Sequence, residues 1–156
     1  MGHAFSPNRY LQDVDLRNAV PADADDVAQL LAELGYPCEL ADAAERISMI
    51  LANDRQALVL ARREGAVCGL MALDFMYYLP LGTTTCRVTA LVVTPNAQGM
   101  GIGRHLLKEA ERRARAGGAA RIELTSGAQR IEAHAFYQAC GYSGSSVRFV
   151  KPLGSA

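Results

Sequence analysis

The sequence predicts an α+β fold with the element order β-α-α-β-β-β-α-β-α-β-β. Three observations carry this. Short apolar or β-branched runs alternate with segments whose apolar residues recur every three or four positions. Glu64-Gly65 joins two of the runs as a hairpin turn. A third run passes directly through a glycine-rich turn into a helix. The 156 residues suffice for a single domain with a real core. That domain is expected over 14–153, after a polar, mixed arm over 1–13.

Residues 14–20 read as the first strand. Pro21-Ala22-Asp23 opens a helix with Asp23 as its N-cap, and Val27, Leu30, Leu31 and Leu34 follow helical spacing to Gly35. Tyr36-Pro37 breaks the chain, and 40–53 resumes a helix with Ile47, Ile50 and Leu51 on one side. Strands are expected over 57–63 and 67–78, with Asp74 among apolar residues of the second. An alternating strand accounts for Asp74 as a solvent-facing position; a contact to a substrate amine is the other reading. After a loop over 79–84, a strand over 85–93 feeds the glycine turn. The next helix ends near Ala116 at Gly117-Gly118, and Arg112, Arg113 and Arg115 suit the negative end of its dipole. A strand over 121–125, a helix capped by Gly141 and a last strand over 147–152 follow, the closing β-β of the order being represented by that one range.

The composition narrows the function. Half the residues are hydrophobic, about a fifth are charged, and the net charge is zero. This is ordinary globular chemistry and argues for neither a nucleic-acid nor a membrane partner. Cys38, Cys68, Cys86 and Cys140 are widely separated and do not group with the histidines. Reduced thiols in a cytoplasmic protein are expected, with no metal site. Met1 to Ser6 fits the M-G-x-x-x-S/T myristoylation pattern, but three fixed positions make a weak filter.

The stretch Leu91-Val-Val-Thr-Pro-Asn-Ala-Gln-Gly-Met-Gly-Ile-Gly-Arg-His-Leu-Leu107 is strand, glycine turn and helix. A helix start leaves backbone N–H groups without partners and adds partial positive charge. Glycines let an anion approach that backbone closely, so the segment suits phosphate or pyrophosphate. The same glycines also serve a tight turn that binds nothing. Arg104 follows Gly103 where a P-loop needs lysine, and G-x-G-x-G is not the dinucleotide spacing G-x-G-x-x-G. A nucleotide-binding protein is therefore disfavoured.

Gln98-Gly99-Met100-Gly101-Ile102-Gly103, after Val93-Thr94-Pro95, matches the Q/R-x-x-G-x-G/A loop of the GCN5-related N-acetyltransferases (GNAT). Ala133-x-x-Phe136-Tyr137-x-x-x-Gly141-Tyr142 matches that family's second segment, in the right order. The chain therefore resembles a GNAT enzyme over nearly its whole length. The resemblance implies the GNAT acyl-CoA acyltransferase fold, a mixed central sheet whose fourth and fifth strands splay to admit the cofactor. It implies acetyl-CoA as cosubstrate and direct attack by a primary amine, on a small molecule or a protein. Dimers are common in the family, which makes a homodimer one reading, while the sequence itself leaves the oligomeric state open. A non-catalytic acetyl-CoA-binding sensor or interaction module on the same fold is the alternative.

Carried onto this sequence, the resemblance assigns the pyrophosphate to Gln98, Gly99, Met100, Gly101, Ile102, Gly103 and Arg104. It assigns the pantetheine arm to the backbone of Leu91, Val92 and Val93, with Ala133 and Phe136 also at the cofactor. Tyr137 stands where the family places the general acid for the leaving thiolate; a tyrosine that only touches the cofactor is the other reading. A phenol stays protonated at neutral pH, as that acid must. Many members carry a glutamate base on the strand before the glycine turn. This chain has Val88-Thr89-Ala90 there, which leaves Thr89 to orient water and Asp74 as a candidate carboxylate. Arg130 replaces a common asparagine, and His134 faces either the cofactor or solvent. Tyr36, Tyr77, Tyr78 and Pro80 are expected around the acceptor cleft, although a packed loop aromatic also explains Tyr36.

Overall fold

The computed structural model describes residues 13–125, 131–144 and 146–154. Of the expected arm, only Asp13 falls among them. Backbone contacts divide the chain after Leu124 into two compact units, taken in turn below.

The first unit is a five-stranded sheet with helices on both faces. Its elements are β1 (Val14–Asn18), α1 (Ala24–Leu34), α2 (Leu40–Leu51), β2 (Gln56–Arg63), β3 (Ala66–Tyr78), β4 (Thr83–Val93), α3 (Ile102–Ala116) and β5 (Ala119–Leu124). The strands lie in the order β1-β2-β3-β4-β5. The first three pairings are antiparallel and β4–β5 is parallel, so the sheet is mixed as expected. A two-residue turn closes the β2–β3 hairpin with Glu64 at φ 53° and Gly65 at φ 79°. Positive φ at both positions matches the twist of the flanking strands.

Alternation along the strands separates two apolar faces. On one, Leu58, Leu60 and Leu70 pack with Val27 and Leu30 of α1 and Ile47 of α2. On the other, α3 buries Ile102, Leu106, Leu107 and Ala110 along a single stripe. Each fully buried large aliphatic side chain stabilises the fold by about 1.5–3 kcal/mol relative to exposure.

In the second unit α4 spans Ile131–Ala139. Gly141 follows at φ 94°, and the Tyr142 N–H folds back onto the Tyr137 carbonyl at 2.9 Å. Gly141 thus ends the helix in the expected way.

Several expectations are corrected. The strand expected over 147–152 does not form; residues 146–154 carry no strand, and Val147 and Phe149 stay exposed. Apolar, β-branched composition favours a strand only where a ladder partner exists. Gly117-Gly118 do end α3 after Ala116 as expected, with Gly118, at φ 78°, in the left-handed position. Asp23 stands at the N-cap position of α1 as expected, but its side chain makes no capping hydrogen bond to that helix. Its carboxylate instead accepts from Arg17 Nη1 and Nη2 at 2.8 and 2.7 Å and from the Val20 N–H at 2.8 Å. The residue closes a β1–α1 clamp because a bidentate guanidinium outcompetes a helix N–H for the same oxygens.

The Arg17 hydrogen bonds hold the Asp23 carboxyl below the usual carboxylate range, against the opposing effect of burial; the Val20 N–H adds to the depression. The folded state therefore binds that proton less tightly than the unfolded chain. The clamp's stabilisation is complete above about pH 4 and is lost as pH falls through the lowered folded value. Asp23→Ala is expected to cost about 1–3 kcal/mol at neutral pH in urea unfolding, with the difference from wild type shrinking in acid.

Candidate active site

The parting of β4 from β5 shapes the site. β4 pairs with β3 over its whole length, from Thr83 to Val93. It pairs with β5 only from Thr84 to Val88. Beyond that rung, the outer edge of β4 from Thr89 to Val93 has no strand beside it among the described residues. β5 ends at Leu124, opposite Val88, so the described residues leave this stretch of the β4 edge open.

The open edge has a defined polarity. The Thr94 N–H donates to the Cys68 carbonyl at 2.8 Å on the β3 side. Antiparallel alternation then commits the backbone of Val92 to β3 and turns that of Leu91 and Val93 to the open edge. Gln98 Nε2 reaches the Val93 carbonyl at 3.2 Å, as this orientation requires. Of the three backbone positions expected along the pantetheine, Leu91 and Val93 present their polar groups and Val92 does not.

The glycine turn follows at once. A single 3₁₀ turn, Pro95–Ala97, leads through Gln98 to Gly99 and Gly101, at φ 82° and 83°. Side chains resist that region, so the sequence spends its glycines where the turn needs them. Nothing lies within 4 Å of where a Cβ on Gly99 would stand. Gly101 is the N-cap of α3, and no side chain caps the helix start. The first N–H groups of α3 therefore have no intrahelical acceptor and, among the described residues, no side-chain cap, and the dipole adds positive character. The backbone N–H groups at the start of α3 follow directly on the open strand edge, and such a helix start attracts anions. Ile102 is 1% exposed and belongs to the core, so only its backbone can serve a ligand. Arg104 is exposed.

Gly69 carries no signal in the sequence yet sets this geometry. It lies opposite Val93 at the end of β4. A Cβ there would stand 3.2 Å from Leu106 Cδ1, 3.3 Å from Ala61 Cβ and 3.4 Å from Ile102 Cγ2. Its missing side chain lets the first turns of α3 lie close against the sheet beside the open edge.

The face carrying α1 and α2 changes character near the parting. Its apolar footprint extends to Ala72 and Ala90. The next line across the strands is Gln56, Asp74, Arg87 and Glu123. Arg87 Nε donates to Glu123 Oε1 at 3.0 Å. Arg121 Nη2 donates to Glu123 Oε2 at 3.2 Å, while its Nε donates to Thr85 Oγ1 at 3.1 Å. The Arg121 guanidinium also lies 4.3 Å over the Tyr78 ring. Asp74 is half-buried and makes no ion pair among the described residues. Between this line and the open edge, Thr89 is an extra, exposed residue of β4: the register passes from Leu73↔Val88 to Ala72↔Ala90. Such a bulge bends the strand and re-aims its side chains.

Other expected positions are less convergent. Tyr77 alternates to the α3 face, in a cleft of about 540 Å³ with Phe75 and Arg113, away from Asp74. Tyr36 is 67% exposed after the end of α1. On α4, Ala133, Phe136 and Tyr137 are half-buried, with the Phe136 and Tyr137 ring centroids 5.4 Å apart. His134 is half-buried on the same helix, and Arg130 lies outside the described residues. Burial pushes the Cys86 thiol up to about 11, with the Asp74 charge adding to the rise. Burial raises Cys68 as well. Both stay protonated at neutral pH and are poor nucleophiles. Among the described residues no group of three or more His, Cys, Asp or Glu is placed to hold a metal. No helix there is long and apolar enough to cross a membrane.

Comparison with known proteins gives the geometry its family. The acetyltransferase (GNAT) family description matches residues 24–142. The chain belongs to this family. The GNAT assignment extends to curated relatives over most of the chain. An aminoalkylphosphonate N-acetyltransferase of Salmonella typhimurium is 36% identical over 141 residues, 89% of this chain and 91% of that protein. An aminoglycoside N(6')-acetyltransferase of Stenotrophomonas maltophilia is 32% identical over 144 residues, 88% and 93% respectively. Among solved structures, a transcriptional regulator from Bacillus halodurans has a TM-score of 0.83 at 23% identity, covering 90% of this chain and 99% of its own. An aminoglycoside N-acetyltransferase in complex with CoA has a TM-score of 0.80 at 16% identity, covering 90% and 95%. These structural likenesses show the fold. As a GNAT member the protein is an N-acetyltransferase enzyme.

Gly69→Val is expected to destabilise the protein by about 1–3 kcal/mol in urea unfolding, because the added methyls meet Leu106, Ala61 and Ile102. Gly65→Ala, with nothing within 4 Å of its Cβ position, introduces no such clash and pays only for its backbone conformation.

Proposed function

We propose that the protein transfers the acetyl group of acetyl-CoA to the primary amine of a small molecule. The observation that carries this reading is the continuity of the open β4 edge with the uncapped, glycine-lined start of α3. In this reading the N–H groups around Gly99 to Arg104 hold the pyrophosphate. Leu91 and Val93 pair with the pantetheine arm as a neighbouring strand would. An N–H on the open edge polarises the thioester carbonyl. Acetyl-CoA supplies the activated acyl group; the protein orients the amine and manages two protons.

The amine must be neutral to attack. Of the two carboxylates in the line beside the parting, only Asp74 has no ion pair among the described residues. We assign it to take the proton, directly or through water. Tyr137 is the acid that protonates the leaving thiolate, an assignment supported by its place in the family's second segment. Small-molecule acceptors are favoured because both curated relatives are named for them.

Calorimetric titration with acetyl-CoA tests the site. The wild type is expected to bind, and Gly101→Glu to bind at least about 100-fold more weakly, since its carboxylate repels phosphate and its side chain resists positive φ. Absence of binding by the folded wild type would refute the reading. Tyr137→Phe is expected to lower kcat by about 10²–10⁴-fold while acetyl-CoA affinity changes less than about threefold. Unchanged turnover would remove the acid role.

A further inference from the structure

The side chains of Asp74, Arg87, Glu123 and Arg121, beside the end of β5, have an uneven charge pattern. Arg87 and Arg121 share one carboxylate, Glu123, which uses both of its oxygens on them. Arg87 spends only Nε in this contact, and its side chain is 46% exposed. Its two Nη groups make no hydrogen bond among the described residues. Arg121 is held by Tyr78, Thr85 and Glu123 together, so its guanidinium is preorganised. Asp74 occupies the neighbouring position on β3, directly across from Arg87. Two acids and two guanidiniums give no net charge, but the charges are separated. An unpaired carboxylate stands at one end, and cationic donors in excess of their single partner stand at the other.

We propose that this line is the acceptor subsite and that it selects a short zwitterionic amine. The acceptor's acid group, phosphonate or carboxylate, sits on Arg87 and Arg121, and its ammonium sits on Asp74 before deprotonation. This rests on the N-acetyltransferase reading above and adds the acceptor's chemical class. Neighbouring strands lie about 4.8 Å apart, so the two ends of the subsite are separated by one to two strand spacings, about 5–10 Å. A two- or three-carbon amine bearing an acid group spans that distance. Guanidinium forks match the oxygens of a phosphonate or carboxylate in bidentate fashion. An aminoglycoside, with several ammonium groups, meets like charge at Arg87 and Arg121 and is disfavoured. The line is also the last full rung but one before β5 ends, which places a bound amine at the mouth of the open edge.

The test compares kcat/KM, with acetyl-CoA, for 2-aminoethylphosphonate, β-alanine, ethanolamine and kanamycin. The wild type is expected to prefer one of the two zwitterions, and the choice between them identifies the acid group. Arg87→Gln is expected to lower the ratio of zwitterion to ethanolamine kcat/KM by about 10–100-fold through KM, with partial recovery in Arg87→Lys. Preference for ethanolamine or kanamycin, or an equal loss on all acceptors in Arg87→Gln, would overturn the subsite. Titration of the phosphonate in the presence of CoA separates the two proposals. Arg87-dependent binding without turnover of any amine sustains the subsite and removes the enzymatic reading. Turnover of other amines with no binding of either zwitterion removes the subsite and leaves that reading intact. Thermal unfolding of each variant checks that it is folded.

Discussion

The divided loyalty of β4 is the constraint on which the site depends. One edge of the strand is satisfied by β3 along its full length. The other is satisfied by β5 for less than half of it. Unpaired backbone groups at a strand edge invite another extended chain. Natural sheets usually blunt such edges; among the described residues this one leaves the edge open just before the turn into α3. The two features share their orientation because the same strand leads directly into the same helix.

That arrangement holds only if α3 lies close to the sheet. Gly69 permits the approach, and Ile102 and Leu106 use it to bury the side of the helix opposite to solvent. The first turn of α3 thus serves two purposes. Its side chains stabilise the core while its backbone stays available, and the full burial of Ile102 beside the glycines shows the division within a single residue pair. At the other end of the molecule's β1–α1 connection, Asp23 shows a similar choice. Its carboxylate joins Arg17 and the Val20 N–H and leaves the helix start without a side-chain cap.

Polar side chains on the α1–α2 face begin where apolar packing stops. Ala72 and Ala90 close the core, and the next line of the sheet is charged. A charged line on an open sheet face is costly to pair fully, because every long side chain held in one geometry loses entropy. Here Arg121 is nevertheless held on three sides, by an aromatic ring, a buried threonine and a carboxylate. The bulge at Thr89 then shifts the phase of β4 relative to β3, so that the charged line and the open edge lie on successive parts of one strand.

The sequence alone determined what depends on neighbours along the chain. The hairpin at Glu64-Gly65, the helical stripes, and the strand–glycine turn–helix of 91–107 are local, and their torsional demands are written in residue type. The family resemblance was legible for the same reason, since Gln98 to Gly103 and Ala133 to Tyr142 are contiguous segments. Only tertiary structure decided what depends on register and packing. It turned Leu91 and Val93, rather than Val92, to the open edge, and it gave the carboxylate of the N-cap Asp23 to Arg17 rather than to the helix N–H groups. It brought Arg87 and Glu123 into line with Asp74, with Arg121 alongside opposite Thr85, and it left 147–152 without strand structure. A slip of one residue would reverse every face of a strand. No run of amino acids read singly states which residue lies opposite, because that depends on the partner strand.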